Sequence, residues 1–144
     1  MKVNEEMLNS IILSIKPLYN ELILKQEKIY EFRNFKPKNF SSYFWVYESY
    51  PIKYLKYIMK ISEPIEYPLK LSGNSYGVDR FNSGEMKCKY AYKIEELYEI
   101  EEPISMNVLK FRFGFTPPQA YTYLQKNVEL QNFIRSNVKF KQIK

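Results

Sequence analysis

A short apolar run that stops at a proline determines how this chain begins to fold. Residues 10–15 are apolar or small and rich in isoleucine, and Lys16 and Pro17 follow them directly. A β-branched run of this length is typical of a buried strand. Proline suits the first position of a helix, where its missing N–H would have no partner. The sequence therefore predicts a strand that turns directly into a helix, and the helical pattern fades near Lys25.

Four later runs of β-branched and aromatic residues predict further strands. They span residues 28–33, 43–47, 54–61 and 86–100, and the pair Glu102–Pro103 is expected to end the last of them. Between the third and fourth runs, residues 63–84 contain three of the four glycines and are interpreted as a connection with one helical turn at 78–82. The pattern predicts an α+β fold with a mainly antiparallel, closed sheet.

Two polar residues are predicted to cap the remaining helices. Ser105 is expected to begin a short helix that runs to Lys110, and Asn127 a final helix over 127–137. The chain has 144 residues, 45% of them hydrophobic and 17% aromatic, which is enough to bury one core. We therefore expect a single domain over 1–144, with its core at about 10–125.

The absence of histidine excludes many kinds of active site. Ser-His-Asp and Cys-His nucleophiles and histidine-ligated zinc cannot be built from this chain alone. No Walker A loop or G-x-G-x-x-G motif is present, which argues against a nucleotide-hydrolysing or dinucleotide-binding fold. We expect no metal and no cofactor.

The compartment is predicted from what the sequence lacks. A lone cysteine, Cys88, cannot form an intrachain disulfide, which is typical of proteins in a reducing compartment. No signal peptide and no apolar stretch of roughly 18 residues is present, so we expect no membrane segment. The sequence predicts a cytoplasmic protein.

The positive charge is concentrated where the aromatic residues lie. The formal net charge is +6, and nine basic but four acidic residues lie between Lys16 and Lys60. Cations interleaved with aromatic rings can hold phosphates and stack bases. AT-rich codon usage would also produce many lysine and tyrosine residues, so the charge alone does not establish a nucleic-acid partner.

Candidate binding residues lie at two places in the first third of the chain. Lys16 and Pro17 stand at a predicted helix N-terminus, whose positive dipole end favours anions. Lys28, Glu31 and Arg33 lie on the predicted strand 28–33, with Glu31 and Arg33 on one face. By alternation Lys28 faces the other way, unless it lies at the very start of the strand where the chain is still turning. Each set could instead be solvated or paired structurally.

Two further residues are predicted to contact a ligand. Tyr47 belongs to an aromatic set of which most members should pack in the core and one or two should remain for a ligand. Gln119 follows Pro117 and Pro118, and its amide could meet a base edge if it lines a groove.

The order of these motifs resembles the ASCH domain of the PUA-like superfamily. The resemblance rests on residues 12–17, the helix after them, and residues 27–33. It continues through 46–49, 91–94, 102–105 and 117–119. It implies a small mixed or antiparallel β-barrel with flanking helices, and a cleft beside the first helix that takes RNA or a modified nucleoside.

The resemblance implies two functions, and the residues leave a third open. The first is binding of RNA or a nucleoside-like molecule. The second is an amidohydrolase for N4-acylated cytidine, since some ASCH proteins of this kind use a lysine and a threonine on this strand. Lys28 matches that lysine, whereas Glu31 stands in the place of the threonine. The third is a protein-interaction scaffold that uses the basic C-terminal tail or the acidic block at 95–102.

Overall fold

The computed structural model describes residues 1–144 and contains eight strands and five α-helices. Their bounds, in chain order, are α1 Glu5–Leu8, β1 Ile11–Ile15, α2 Pro17–Leu24, β2 Tyr30–Arg33, β3 Tyr43–Glu48, β4 Tyr54–Ile61, β5 Ile65–Glu66, α3 Val78–Ser83, β6 Tyr90–Ser105, α4 Met106–Phe113, β7 Tyr121–Tyr123, α5 Val128–Asn137 and β8 Phe140–Gln142. A single 3₁₀ turn, Leu124–Lys126, precedes α5. None of the helices is both long enough and apolar enough to cross a membrane.

The strands form one curled sheet in the order β2-β6-β4-β3-β1-β7, and β5 and β8 also pair with β6. β1 and β3 run parallel, and the other pairs are antiparallel. The predicted α+β, barrel-like fold with flanking helices is confirmed. The sheet is nevertheless a half-barrel, because the hydrogen-bonded path stops at β2 and at β7. The closed sheet expected from the strand pattern is therefore not completed by a backbone ladder.

The sheet is buried on both faces, which explains why β3 has no exposed residue. One face packs against α1, α4 and α5 in a cluster that contains Ile12 and Trp45. The indole N–H of Trp45 donates to the carbonyl of Met7, 2.7 Å away. The other face packs with α2 in a second cluster that contains Leu13 and Phe44. Successive side chains of β1 and β3 thus enter different cores, as strand alternation requires.

The strand-to-helix start and the two caps are confirmed. Pro17 opens α2, the Ser105 hydroxyl accepts from the Val108 N–H at 3.2 Å, and the Asn127 side chain accepts from the Leu130 N–H at 3.1 Å. The predicted end of the fourth strand at Pro103 is wrong, because β6 continues to Ser105. Its register against β4 shifts at this point, so the missing N–H of Pro103 falls in an irregular segment.

Candidate functional site

The candidate site is a cavity of about 510 Å³ at the gap where the sheet does not close. One wall is the end of β1 with Lys16 and Tyr19 of α2, and the facing wall is β2 with residues 34 and 35. The cavity is completed by Arg80 of α3, by residues on either side of this helix and by the loop at 119–120. The volume lies within the range of roughly 300–1,000 Å³ typical of small-ligand pockets.

A buried ionic triad from β2 and the turn before it forms the polar side of this cavity. The Lys28 ammonium donates to Glu31 Oε1 at 2.5 Å and to the Tyr30 carbonyl at 2.6 Å. Arg33 Nε donates to Glu31 Oε2 at 2.8 Å. Lys28 and Glu31 are 4% and 5% exposed, so water screens their interaction little. β2 begins at Tyr30, and Lys28 therefore lies in the turn before the strand, from which it reaches the carboxylate.

Glu31 is held as a carboxylate despite its burial. Burial alone would raise the pKa of Glu31, but Lys28 and Arg33 outweigh it and hold that pKa below its ordinary value. With Glu31 ionised, the triad carries two positive charges and one negative charge. Since Lys16 and Arg80 also line the cavity, its lining favours an anion.

Arg33 ties the two sides of the gap together and retains a free donor. Its Nη2 donates to the Ser14 carbonyl of β1 at 2.8 Å. Its Nη1 has no hydrogen-bond partner in the protein. The single buried side-chain polar atom without a partner is Ser75 Oγ, so Nη1 is not sealed in the interior. Arg33 lines the cavity and keeps the N–H groups of a single nitrogen, Nη1, without a partner in the protein.

The structure brings together most of the residues predicted from sequence to bind a ligand. Lys16, Lys28, Glu31, Arg33 and Gln119 all line the cavity. Pro17 is the first residue of α2 and lies next to Lys16 without lining the cavity.

Tyr47 lies elsewhere. It is 4% exposed and packs in the core cluster against α1, α4 and α5, because β3 is covered on both faces. Tyr47 is not among the residues that line the cavity.

Several lining residues were not predicted, and two of them, Tyr76 and Arg80, come from the segment interpreted as a connection. The additional residues with aromatic, cationic or thiol side chains are Tyr19, Phe32, Phe35, Tyr76, Arg80 and Cys88. Tyr19 follows Pro17 by two residues, which is a signal that could have placed it beside the helix N-terminus. Nothing in the sequence around Tyr76 or Arg80 indicates that they return to β2.

The thiol in the cavity is not activated. Partial burial raises the pKa of Cys88, although Arg33 opposes this. A thiolate nucleophile is therefore not favoured at neutral pH. No three histidine, cysteine, aspartate or glutamate side chains lie close enough together to hold a metal ion.

Solved structures resemble this fold along almost its whole length. ASCH from Zymomonas mobilis is 22% identical, covers 91% of this chain and 96% of its own, and superposes with a TM-score of 0.65. A tyrosine-to-phenylalanine mutant protein of the same ASCH is 20% identical and covers 91% of this chain and 99% of its own, with a TM-score of 0.63. No protein-family model and no curated protein matches the sequence. The resemblance found in the sequence motifs is thus confirmed at the level of architecture, because the chain has an ASCH-like fold.

Proposed function

We propose that the protein binds RNA or a nucleotide-like molecule in the cavity between β1 and β2. The observation that carries the proposal is the charge of the cavity lining, which contains four cationic side chains and a single carboxylate, that of Glu31. Both oxygens of that carboxylate are already bonded to Lys28 and Arg33. A ligand with phosphate groups would meet positive charge and free donors there.

The ASCH-like fold supports the proposed ligand, and the free cysteine supports a proposed compartment. The sequence resemblance to ASCH domains implies a cleft for RNA or a modified nucleoside beside the first helix, and the cavity lies beside α2. We also propose a cytoplasmic setting, because Cys88 is a free thiol.

The proposal is tested by binding of labelled single-stranded RNA at several salt concentrations. Lys16 and Arg80 are exposed lining residues, so Lys16→Gln and Arg80→Gln should leave the fold intact. Each change should weaken binding several-fold at low salt. Each should also make the slope of log K against log salt less negative by about 0.7, as expected for one lost contact to single-stranded nucleic acid.

Arg135→Gln is the matched control, because Arg135 is exposed, pairs with Glu5 and does not line the cavity. It should change neither affinity nor slope. Binding that is indifferent to salt, or an equal effect of the control, would contradict the proposal.

Deacylation of N4-acylated cytidine would use Lys28 and Glu31 of the same cavity. In the structure, Lys28 donates to the Glu31 carboxylate and to the Tyr30 carbonyl, so both candidate catalytic side chains are engaged within the protein and neither is free to act on a substrate. Incubation with N4-acetylcytidine should therefore release no cytidine. Release that is lost in Lys28→Met would replace the binding proposal with the enzymatic one.

A protein-interaction scaffold is distinguished by the same reagents. A scaffold should retain a protein partner after nuclease treatment, and the Lys16→Gln and Arg80→Gln variants should still bind that partner. This result would place the main function outside the cavity.

A further inference from the structure

Two tyrosines approach each other beside the cavity from different parts of the fold. Tyr19 lies on α2 and Tyr76 on the loop that precedes α3, and both line the cavity. Their ring centroids are 5.9 Å apart and the ring planes are inclined by 50°. Tyr76 is 41% exposed, whereas Lys28 and Glu31 are almost fully buried. The aromatic pair therefore lies at the mouth, and the ionic triad at the bottom.

Both rings are carried by anchored backbone. The N–H of Tyr76 donates to the carbonyl of Glu27 at 2.8 Å, which ties its loop to the turn before β2. Asn20, next to Tyr19, is buried and donates from its side chain to Glu48 of β3 at 3.2 Å. A ring held in this way offers a flat face at a small entropic cost, because little further ordering is needed on binding.

The two ends of the cavity suit different parts of one ligand. At the mouth, the Tyr19–Tyr76 pair offers aromatic faces, and the cationic side chain of Arg80 also lines the cavity. At the bottom, Nη1 of Arg33 is a donor without an acceptor, and the negative charge of Glu31 is balanced by its two cationic partners. A flat ring would be favoured at the mouth, and an oxyanion at the bottom.

We propose that the cavity takes a single nucleotide unit, with its base against Tyr19 and Tyr76 and its phosphate on Arg33. This inference rests on the proposed function and specifies the ligand and its orientation. The empty space of about 510 Å³ accommodates one such unit. Since the two tyrosine rings lie 5.9 Å apart between centroids, the base either separates them or stacks on the outward face of one of them.

Titration calorimetry with three probes tests the proposal. The probes are cytidine 5′-monophosphate, ribose 5-phosphate, which lacks the base, and cytidine, which lacks the phosphate. The unmodified protein should bind the monophosphate more tightly than either fragment. Tyr19→Leu and Tyr76→Leu keep apolar bulk without an aromatic face. If the base lies between the rings, each should weaken monophosphate binding about tenfold, the effect of losing one base–ring stack. If it lies on the outward face of one ring, the variant of that ring should show this loss.

The same leucine variants should bind ribose 5-phosphate within twofold of the unmodified protein, because this probe has no base to stack. Tyr19→Phe and Tyr76→Phe keep the aromatic ring and should restore monophosphate binding. Tyr50→Leu is the matched control, because Tyr50 is 76% exposed and does not line the cavity. Unchanged circular dichroism shows that each variant is folded.

The outcomes separate this inference from the proposed function. Monophosphate binding that is unaffected by both leucine changes would overturn the stacking site and leave the anion site standing. An equal loss of ribose 5-phosphate binding would overturn the assigned orientation. If the unmodified protein binds neither the monophosphate nor RNA, the proposed function itself fails, and this inference fails with it.

Discussion

Replacement of Glu31 by glutamine should cause a large loss of stability, although it changes few atoms. The carboxylate accepts from Lys28 on one oxygen and from Arg33 on the other. The Glu31→Gln side chain has the same shape but is neutral, and its amide group would direct donors toward one of the two cations. The change leaves two positive charges close together with no negative charge between them.

The structure indicates the size of the effect. Removal of one partner from a buried ion pair typically costs about 3–5 kcal/mol, because the remaining charge is uncompensated. Lys28 is 4% exposed and has little access to water, whereas the Arg33 side chain is 17% exposed and regains some water. We therefore expect a loss near the lower limit, about 3 kcal/mol. In a chain of this length that corresponds to a fall of about 10 °C in Tm.

Equilibrium unfolding in urea measures the effect, with Glu21→Gln as the control. Glu21 pairs with Lys25 at 2.9 Å, but both side chains are 59% exposed, so its replacement should leave the unfolding free energy within error of the unmodified protein. If Glu31→Gln and Glu21→Gln have the same effect, the triad is not the buried ionic cluster described above.

The pH dependence of stability provides a second measurement on the same residue. The pKa of Glu31 is lower in the folded protein than its ordinary value of 4.5, so its ionised form stabilises the fold above that value. This contribution is lost as the pH falls through the folded-state pKa. Acid should therefore destabilise the unmodified protein more steeply than Glu31→Gln. Parallel pH profiles would refute the reasoning.

Two further changes test the backbone around the site and the cap of α5. Gly77→Ala should destabilise the protein by more than about 1 kcal/mol relative to Gly73→Ala, as measured by urea unfolding. Both glycines have a positive φ, so the backbone cost is shared by the two variants. Only the Cβ added at Gly77 would clash, because it would lie 2.5 Å from the Phe32 ring, whereas one at Gly73 would meet nothing. Equal losses would show that the Phe32 ring yields freely. Asn127→Ala should cost about 1–2 kcal/mol in the same assay, because Asn127 accepts from the Leu130 N–H and donates to the Phe113 carbonyl. A loss below about 0.5 kcal/mol would contradict the capping role.

Local chemistry made the start of the fold and its caps predictable. The helix starts depend on contacts within a few residues of Pro17, Ser105 and Asn127. They can therefore be predicted without knowledge of the tertiary structure. The short elements α1 and β8 were not predicted, because they depend on distant partners. β8, for example, pairs with the middle of β6.

The candidate site was predictable where its residues are close in sequence. Within a strand, Lys28 and Glu31 would face opposite ways, so their contact depends on Lys28 lying before the strand. This is what the structure shows, because β2 begins two residues later, at Tyr30. Tyr47 was assigned to the ligand because strand alternation does not show that both faces of β3 are covered. Tyr76 was missed because the segment 63–84 has little periodicity, and its approach to Tyr19 is a tertiary contact.

The gap between β2 and β7 also has a consequence for strand pairing between molecules. The gap leaves the outer edges of β2 and β7 with unpaired backbone groups, and such edges in other proteins recruit strands from neighbouring molecules. Here the edge strands have four and three residues, too few for a long intermolecular ladder. The edge of β2 also faces the cavity, and its Arg33 side chain reaches across to Ser14. The opening proposed to admit a ligand therefore offers little template for aggregation.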